Sequence, residues 1–188
     1  MTWTTEDGRS GGEPGENHLL EGCKKGDRTA QRKLFDALAP KMMALCLRYT
    51  GDSQTAEDVL QDGFVTLFTR LDSYSGKGSF EGWARKIFVN TALMHLRRTD
   101  ALKLSDPLDG AVPLSSPEET PSQALGYKEL LSLVSRLPAG YRTVFNMYAV
   151  EGFTHREIAE SLGITEATSR SKLMRARALL QEMIKTGH

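Results

Sequence analysis

Apolar residues along this chain recur at intervals of three and four and show no sustained alternation with polar ones, so the pattern predicts an all-α protein. A short stripe of Leu19, Leu20 and Cys23 starts at Asn17 and stops at Gly26. Asp27 can cap the next helix, which carries Ala30, Leu34, Leu38, Met42, Leu45 and Tyr49. Pro40 lies inside that run and predicts a kink or a restart, and Gly51 ends it. Asp52 or Ser53 opens a helix over 55–71, with Val59, Phe64, Val65, Leu67, Phe68 and Leu71 on a broad apolar side. A Gly/Ser loop holding one Tyr and one Lys follows. Ser79 can then cap a helix over 80–98, whose core side is expected to hold Phe80, Trp83, Ala84, Ile87, Phe88, Thr91 and Met94.

From residue 99 the period lapses. Pro107, Pro113, Pro117 and Pro121, with Ser and acids between them, predict a linker over 99–122 that separates two domains, 17–98 and 123–188. Residues 1–16, rich in Gly, Ser, Thr and Glu, are expected to be disordered. Helical period resumes at Ala124, breaks at Pro138 and Gly140, and continues over 142–150 up to Gly152.

The last stretch, 154–184, reads as two helices joined by a tight turn. Thr154 with Glu157 has capping-box spacing, Gly163 suits a left-handed turn, and Thr165 offers a second N-cap. This is the helix-turn-helix layout, whose second helix enters a DNA major groove. Period places Ser169, Leu173, Ala176, Leu180 and Met183 on its inner stripe. Thr168, Ser171, Met174 and Arg175 then point outward, Arg170 and Arg177 flank, and Lys172 sits nearer the inner edge. Four cations and no acid lie between Arg170 and Arg177. A solvated helix with dipole-complementing cations would share that charge pattern. The capped helix and Gly turn upstream favour DNA.

Net charge changes the picture. Lys plus Arg and Asp plus Glu are 24 each, so the whole chain has no pull toward nucleic acid. A protein binding DNA alone draws most of its affinity from phosphate neutralisation. This one either binds DNA weakly or binds within a larger complex. No apolar run approaches the roughly 18 residues of a membrane span, and no secretory signal peptide is expected. Cys23 and Cys46, each among apolar residues, read as buried free thiols of a cytoplasmic protein. Glu57, Asp58, Gln61 and Asp62 cluster at the start of their helix, but no His, Cys or further acid converges on them. Their simplest reading is therefore complementation of the helix dipole rather than a metal site. No nucleophile, base and orienting group share a recognisable spacing, so neither an enzyme nor a cofactor is expected.

Four stretches in order resemble the sigma-70 family, and the short extracytoplasmic-function (ECF) group within it. They are AEDVLQDGF (56–64), SFEGWARKIFVNTALMHLRR (79–98), LPAGYRTVFNMY (137–148) and EGFTHREIAESLGITEATSRSKLMRAR (151–177). The wording of the C-terminal half most resembles Bacteroidetes forms. The resemblance implies a sigma-2-like helical bundle over 17–98 and a sigma-4-like helix-turn-helix domain over 123–188. It further implies that Glu57, Asp58, Gln61 and Asp62 dock on the clamp of the RNA polymerase β′ subunit, displacing the dipole reading. It assigns Lys77, Phe80, Trp83, Lys86 and Asn90 to the −10 element, Asn90 at a flipped-base pocket. It assigns Thr168, Arg170, Ser171, Lys172, Met174, Arg175 and Arg177 to the −35 element. Met174 departs from members that carry an aromatic residue there. Implied partners are core RNA polymerase (β′ clamp and β flap), promoter DNA and an anti-sigma factor. The rival reading is a polymerase-independent helix-turn-helix repressor or activator, which would bind a palindromic operator tightly by itself.

Overall fold

The structure, a computed structural model, describes residues 14–98 and 127–186. The expected linker, 99–122, and most of the expected disordered N-terminus lie outside them. Among the described residues every regular element is helical. They fall into two compact units. Residues up to Cys46 with Glu57–Thr91 form the first, and Leu47–Ala56 with the residues from Ala92 onward form the second.

The first unit takes most of α1 (Pro14–Lys24), α2 (Arg28–Thr50), α3 (Ser53–Arg70) and α4 (Phe80–Arg98). Its boundaries follow the caps that the sequence offers. The backbone N–H of Thr29 donates to the Asp27 carboxylate at 2.9 Å, and that of Gly82 to Ser79 Oγ at 3.1 Å. Leu20, Leu34, Leu38, Met42, Leu45, Val59, Leu67, Ala84 and Phe88 are buried. Pro40 sits inside α2, which does not restart there. The carbonyl it leaves without a donor belongs to Asp36, whose side chain is half exposed, so water can serve it. Leu38 and Met42, buried on either side, hold the helix to the core.

Gly63 marks where α3 meets α4. A Cβ there would lie 2.3 Å from the ring of Phe88, which is fully buried and cannot give way. Two expected core positions are exposed instead: Val65 at 62% and Met94 at 53%. On α4 the buried set runs further round, through Val89, Ala92, Leu93 and Leu96. A helix that is apolar on most of its circumference does not reveal by period which sector faces in.

The second unit is built on α5 (Tyr127–Ser135), α6 (Ala139–Phe145), α7 (His155–Leu162) and α8 (Glu166–Lys185). Leu133, Val134, Leu137, Tyr141, Ala176 and Leu180 form its core, with Phe145, Leu179, Met183 and Ile184 against it. After Phe145 the helix widens over Asn146–Val150, where the N–H of Glu151 reaches the carbonyl of Asn146 at 3.0 Å. Arg142 is buried, and its guanidinium gathers carbonyls at two helix ends. It donates to Tyr49 O at 3.1 Å, Thr50 O at 2.7 Å, Ser135 O at 2.7 Å and Leu137 O at 3.3 Å. Helix C-termini leave their last carbonyls without intrahelical donors, and a cation there also meets the negative dipole end. Burial lowers the Arg142 pKa, opposed by the Asp52 carboxylate. Nearby Arg48 and Glu151 make a buried ion pair at 3.0 Å.

Candidate functional site

Helix α8 is set by two caps and a turn. Thr154 and Glu157 close a reciprocal box: the Glu157 N–H donates to Thr154 Oγ1 at 3.2 Å, and the Thr154 N–H to Glu157 Oε2 at 2.8 Å. Gly163, at φ 69°, ends α7 in the left-handed conformation that a Cβ would disfavour. Thr165 then caps α8 by accepting from the Thr168 N–H at 3.1 Å. The inner stripe is the one the period predicts: Ser169, Leu173, Ala176 and Leu180 are buried, and Met183 is partly so.

The seven candidate residues of α8 differ in how they are held. Arg170 pairs with Glu166 one turn back at 2.9 Å. The Lys172 ammonium lies 5.5 Å from the centroid of the Tyr141 ring, and the Arg177 guanidinium 5.8 Å from that of Tyr148. Arg175 donates to the Tyr141 hydroxyl at 3.3 Å. The Thr168 hydroxyl is tied to Thr165 at 2.9 Å. Met174 is 48% exposed, and Ser171 is half-buried beside it. The face therefore presents cations whose stems already lean on aromatic or capping partners. Tyr141 and Tyr148 were missed in the sequence, where only their place in a motif pointed to them.

His155, the first residue of α7, adjoins this face. Its ring stacks on Tyr148 at 4.5 Å, and its Nδ1 lies 2.9 Å from the buried Ser169 hydroxyl. Burial is the largest cause that lowers its pKa. Arg170 and Arg177 lower it further, and Glu166 opposes them.

The candidate −10 residues sit on α4 and the loop before it. The Tyr74 hydroxyl closes that loop by donating to Gly78 O at 2.8 Å, and Lys77 is exposed within it. Tyr74, Phe80 and Trp83 form a cluster with centroids 5.2–5.5 Å apart. Phe80 requires a correction. It is only 2% exposed, so it supports the loop from beneath and offers no open face for a base. Trp83 is half-buried, and Lys86 and Asn90 are exposed, so Asn90 faces outward rather than into the core. Tyr74 is the aromatic member that sequence reasoning left out.

On α3, Glu57, Asp58, Gln61 and Asp62 are all exposed, on its second and third turns. An apolar hollow of about 380 Å³ adjoins them, lined by Phe35, Leu60, Phe64, Val65 and Phe68 with Glu57 and Gln61 at its rim. The rings of Phe35 and Phe64 are 4.5 Å apart. No group of three or more His, Cys, Asp or Glu among the described residues could hold a metal ion, and no described helix is long and apolar enough to cross a membrane.

Comparison with known proteins adds the following. The family description "Sigma-70 region 2" matches residues 34–101, and "Sigma-70, region 4" matches 127–180, together more than half of the chain. The chain is 27% identical over 184 residues to an RNA polymerase sigma-H factor of Pseudomonas aeruginosa, covering 90% of this chain and 93% of that one. It is 28% identical over 177 residues to an ECF RNA polymerase sigma-E factor of Escherichia coli, covering 88% and 92%. Among solved structures it is similar in fold to a sigma factor of Bartonella quintana crystallised with an anti-sigma factor. That match has a TM-score of 0.52 at 21% identity and covers 84% of this chain and 98% of the other.

Proposed function

Because the chain belongs to the sigma-70 family, in its ECF group, we propose that it docks on core RNA polymerase and recognises promoters through two separate surfaces. The observation that carries this reading is the pairing, in one chain, of an acidic helix beside an apolar hollow with a capped helix-turn-helix. The α3 surface suits a protein: exposed carboxylates give charge complementarity, and the hollow gives apolar area. It is assigned to the β′ clamp, through Glu57, Asp58, Gln61 and Asp62. The α8 face is assigned to the −35 major groove, through Arg170, Ser171, Lys172, Met174, Arg175 and Arg177, with Thr168 holding the entry turn. Lys77, Trp83, Lys86 and Asn90 are assigned to the unstacked −10 strand, with Phe80 as support.

The division of charge fits this role. Polymerase would supply much of the phosphate contact and this subunit the selectivity, so a net charge of zero is no obstacle. The chain performs no catalytic step of its own. Contact with the β flap, control by an anti-sigma factor and the Bacteroidetes-like origin enter the same proposal through the resemblance, and a cytoplasmic location through the buried free thiols Cys23 and Cys46. The rival operator-binding reading leaves the α3 surface without a use.

Run-off transcription with bacterial core polymerase, with and without this chain, on a library of promoter fragments tests the proposal. Transcripts that appear only with the chain support it. Their absence, together with tight operator binding by the free chain, would replace it with the repressor reading.

A further inference from the structure

On α7, outside the residues assigned above, lies a group placed to meet the same ligand as the reader helix. His155 stacks on Tyr148, and the guanidinium of Arg177 lies over that same ring. The buried Ser169 hydroxyl, 2.9 Å from Nδ1, fixes the imidazole edge-on to α8 and occupies that nitrogen. The opposite edge, bearing Nε2, is left to face away from Ser169. In a helix-turn-helix the first helix crosses the phosphate backbone while the second enters the groove. The start of α7 is therefore where a phosphodiester would pass if α8 is the reader.

We propose that His155 is an additional DNA-phosphate contact of this domain and that it takes up a proton as DNA binds. The inference rests on the promoter-binding reading above and adds to it a residue and a pH dependence.

The electrostatics follow from the groups that face the ring. Arg170 and Arg177 on α8 oppose its protonation, and Glu166 on the same helix favours it, while the Tyr148 ring packs on its face. Arg156 and Glu157, its neighbours on α7, are exposed and opposite in sign. In the free chain, burial and the two arginines disfavour the charged imidazole. A phosphate arriving at Arg170 and Arg177 offsets their field and adds negative potential at Nε2. The pKa of His155 is then higher in the complex than in the free chain. By linkage, affinity is lowest above the bound-state pKa, rises as pH falls through it, and levels off below the free-state pKa. Hydrogen bonding to Ser169 survives the change, because Nδ1–H can donate to the hydroxyl oxygen in the charged form.

The test uses the full chain and a duplex spanning the upstream element of a promoter obtained from the run-off selection, at fixed ionic strength. Affinity is measured from about pH 8 to about pH 5.5, the range in which histidine titrates. Calorimetry in buffers of different ionisation enthalpy counts protons taken up, and this needs no variant. Expected are an affinity about fivefold to tenfold higher at the acidic end, in the usual span of coupled binding, and uptake of about half a proton midway through that rise, as a single group with that gain requires. His155→Gln keeps a partner for Ser169 and should lose the pH-dependent rise, whatever its affinity at the alkaline end. Helix content checked by circular dichroism shows that the variant is folded. Promoter binding without proton uptake, or an unchanged pH profile in His155→Gln, overturns the inference and leaves the sigma reading intact. No binding to the selected duplex at any pH overturns the inference, whereas a run-off selection that yields no promoter overturns the sigma reading.

Discussion

The acidic surface of α3 and the cationic face of α8 use charge in different ways. On α3, Glu57, Asp58, Gln61 and Asp62 stand exposed on consecutive turns, and the neighbouring apolar hollow supplies area. On α8 the charged groups are held before any partner arrives. Lys172 and Arg177 lie over tyrosine rings, Arg175 reaches the Tyr141 hydroxyl, and Arg170 pairs with Glu166. Pre-positioning matters most where a ligand is read by geometry, because each long side chain ordered in advance spares about 0.5–1.5 kcal/mol at binding. A protein surface that meets a single partner gains more from apolar area and steering. Under the proposed function, affinity for polymerase would rest on α3 and selectivity among promoters on α8.

The strongest challenge to that division is charge reversal on α3. Asp58→Lys with Asp62→Lys should weaken association with core polymerase by about 100-fold, since like charge across an interface costs several kcal/mol. Thermal stability should hardly change, because both sites are exposed. An association assay beside a melting curve checks the two halves, and a large stability loss would mean that these carboxylates serve the fold.

Gly63→Ala probes the scaffold beneath that surface. A methyl group 2.3 Å from the Phe88 ring should cost about 1–3 kcal/mol as overpacking, only partly offset by the roughly 1 kcal/mol that alanine gains over glycine in a helix. Chemical denaturation would show a lower midpoint.

On the reader side, Arg175→Ala should lower promoter use by about tenfold if it reads a base, where a good contact contributes about 1–3 kcal/mol of discrimination. The loss should then be confined to promoters carrying that base. A uniform loss, with a salt slope smaller by about one unit, would identify a phosphate contact instead. Transcription over several promoters and salt concentrations separates the two.

Tyr141→Phe is the finest probe. It removes the hydroxyl that holds Arg175 and keeps the ring under Lys172. The expected loss is about 0.5–1.5 kcal/mol at most, below that of Arg175→Ala and nearly absent when combined with it. Additive losses would mean that Tyr141 acts through its core packing.

Much of this was legible in the sequence because helix ends are written locally. Asp27, Ser79, Thr154 with Glu157, and Thr165 each cap the helix that follows, since a short polar side chain there meets an orphan backbone donor within three residues. The period of α8 was equally plain, because its apolar stripe is narrow and its other residues polar. What depends on distant contacts was not. Met94 sits on a helix apolar over most of its circumference, so period could not exclude it from the core, whereas Val65 lies between Asp58 and Gln61 on the polar side of α3. Period already places Phe80 on the core side of α4, but it does not reveal that Tyr74 from the preceding loop packs on it beside Trp83. Nothing local in the sequence marks Arg142 as buried. Its burial follows from carbonyls at Tyr49, Thr50, Ser135 and Leu137, and those at 49 and 50 lie more than ninety residues away.

One experiment addresses the division of labour between α3 and α8 directly: run-off transcription from a randomised promoter library, with core polymerase and either the Arg175→Ala or the Asp58→Lys/Asp62→Lys chain. The account predicts that the α8 variant changes which upstream sequences are transcribed, and that the α3 variant transcribes the native set at reduced yield. Altered sequence preference in the α3 variant, or an unaltered one in the α8 variant, would contradict it.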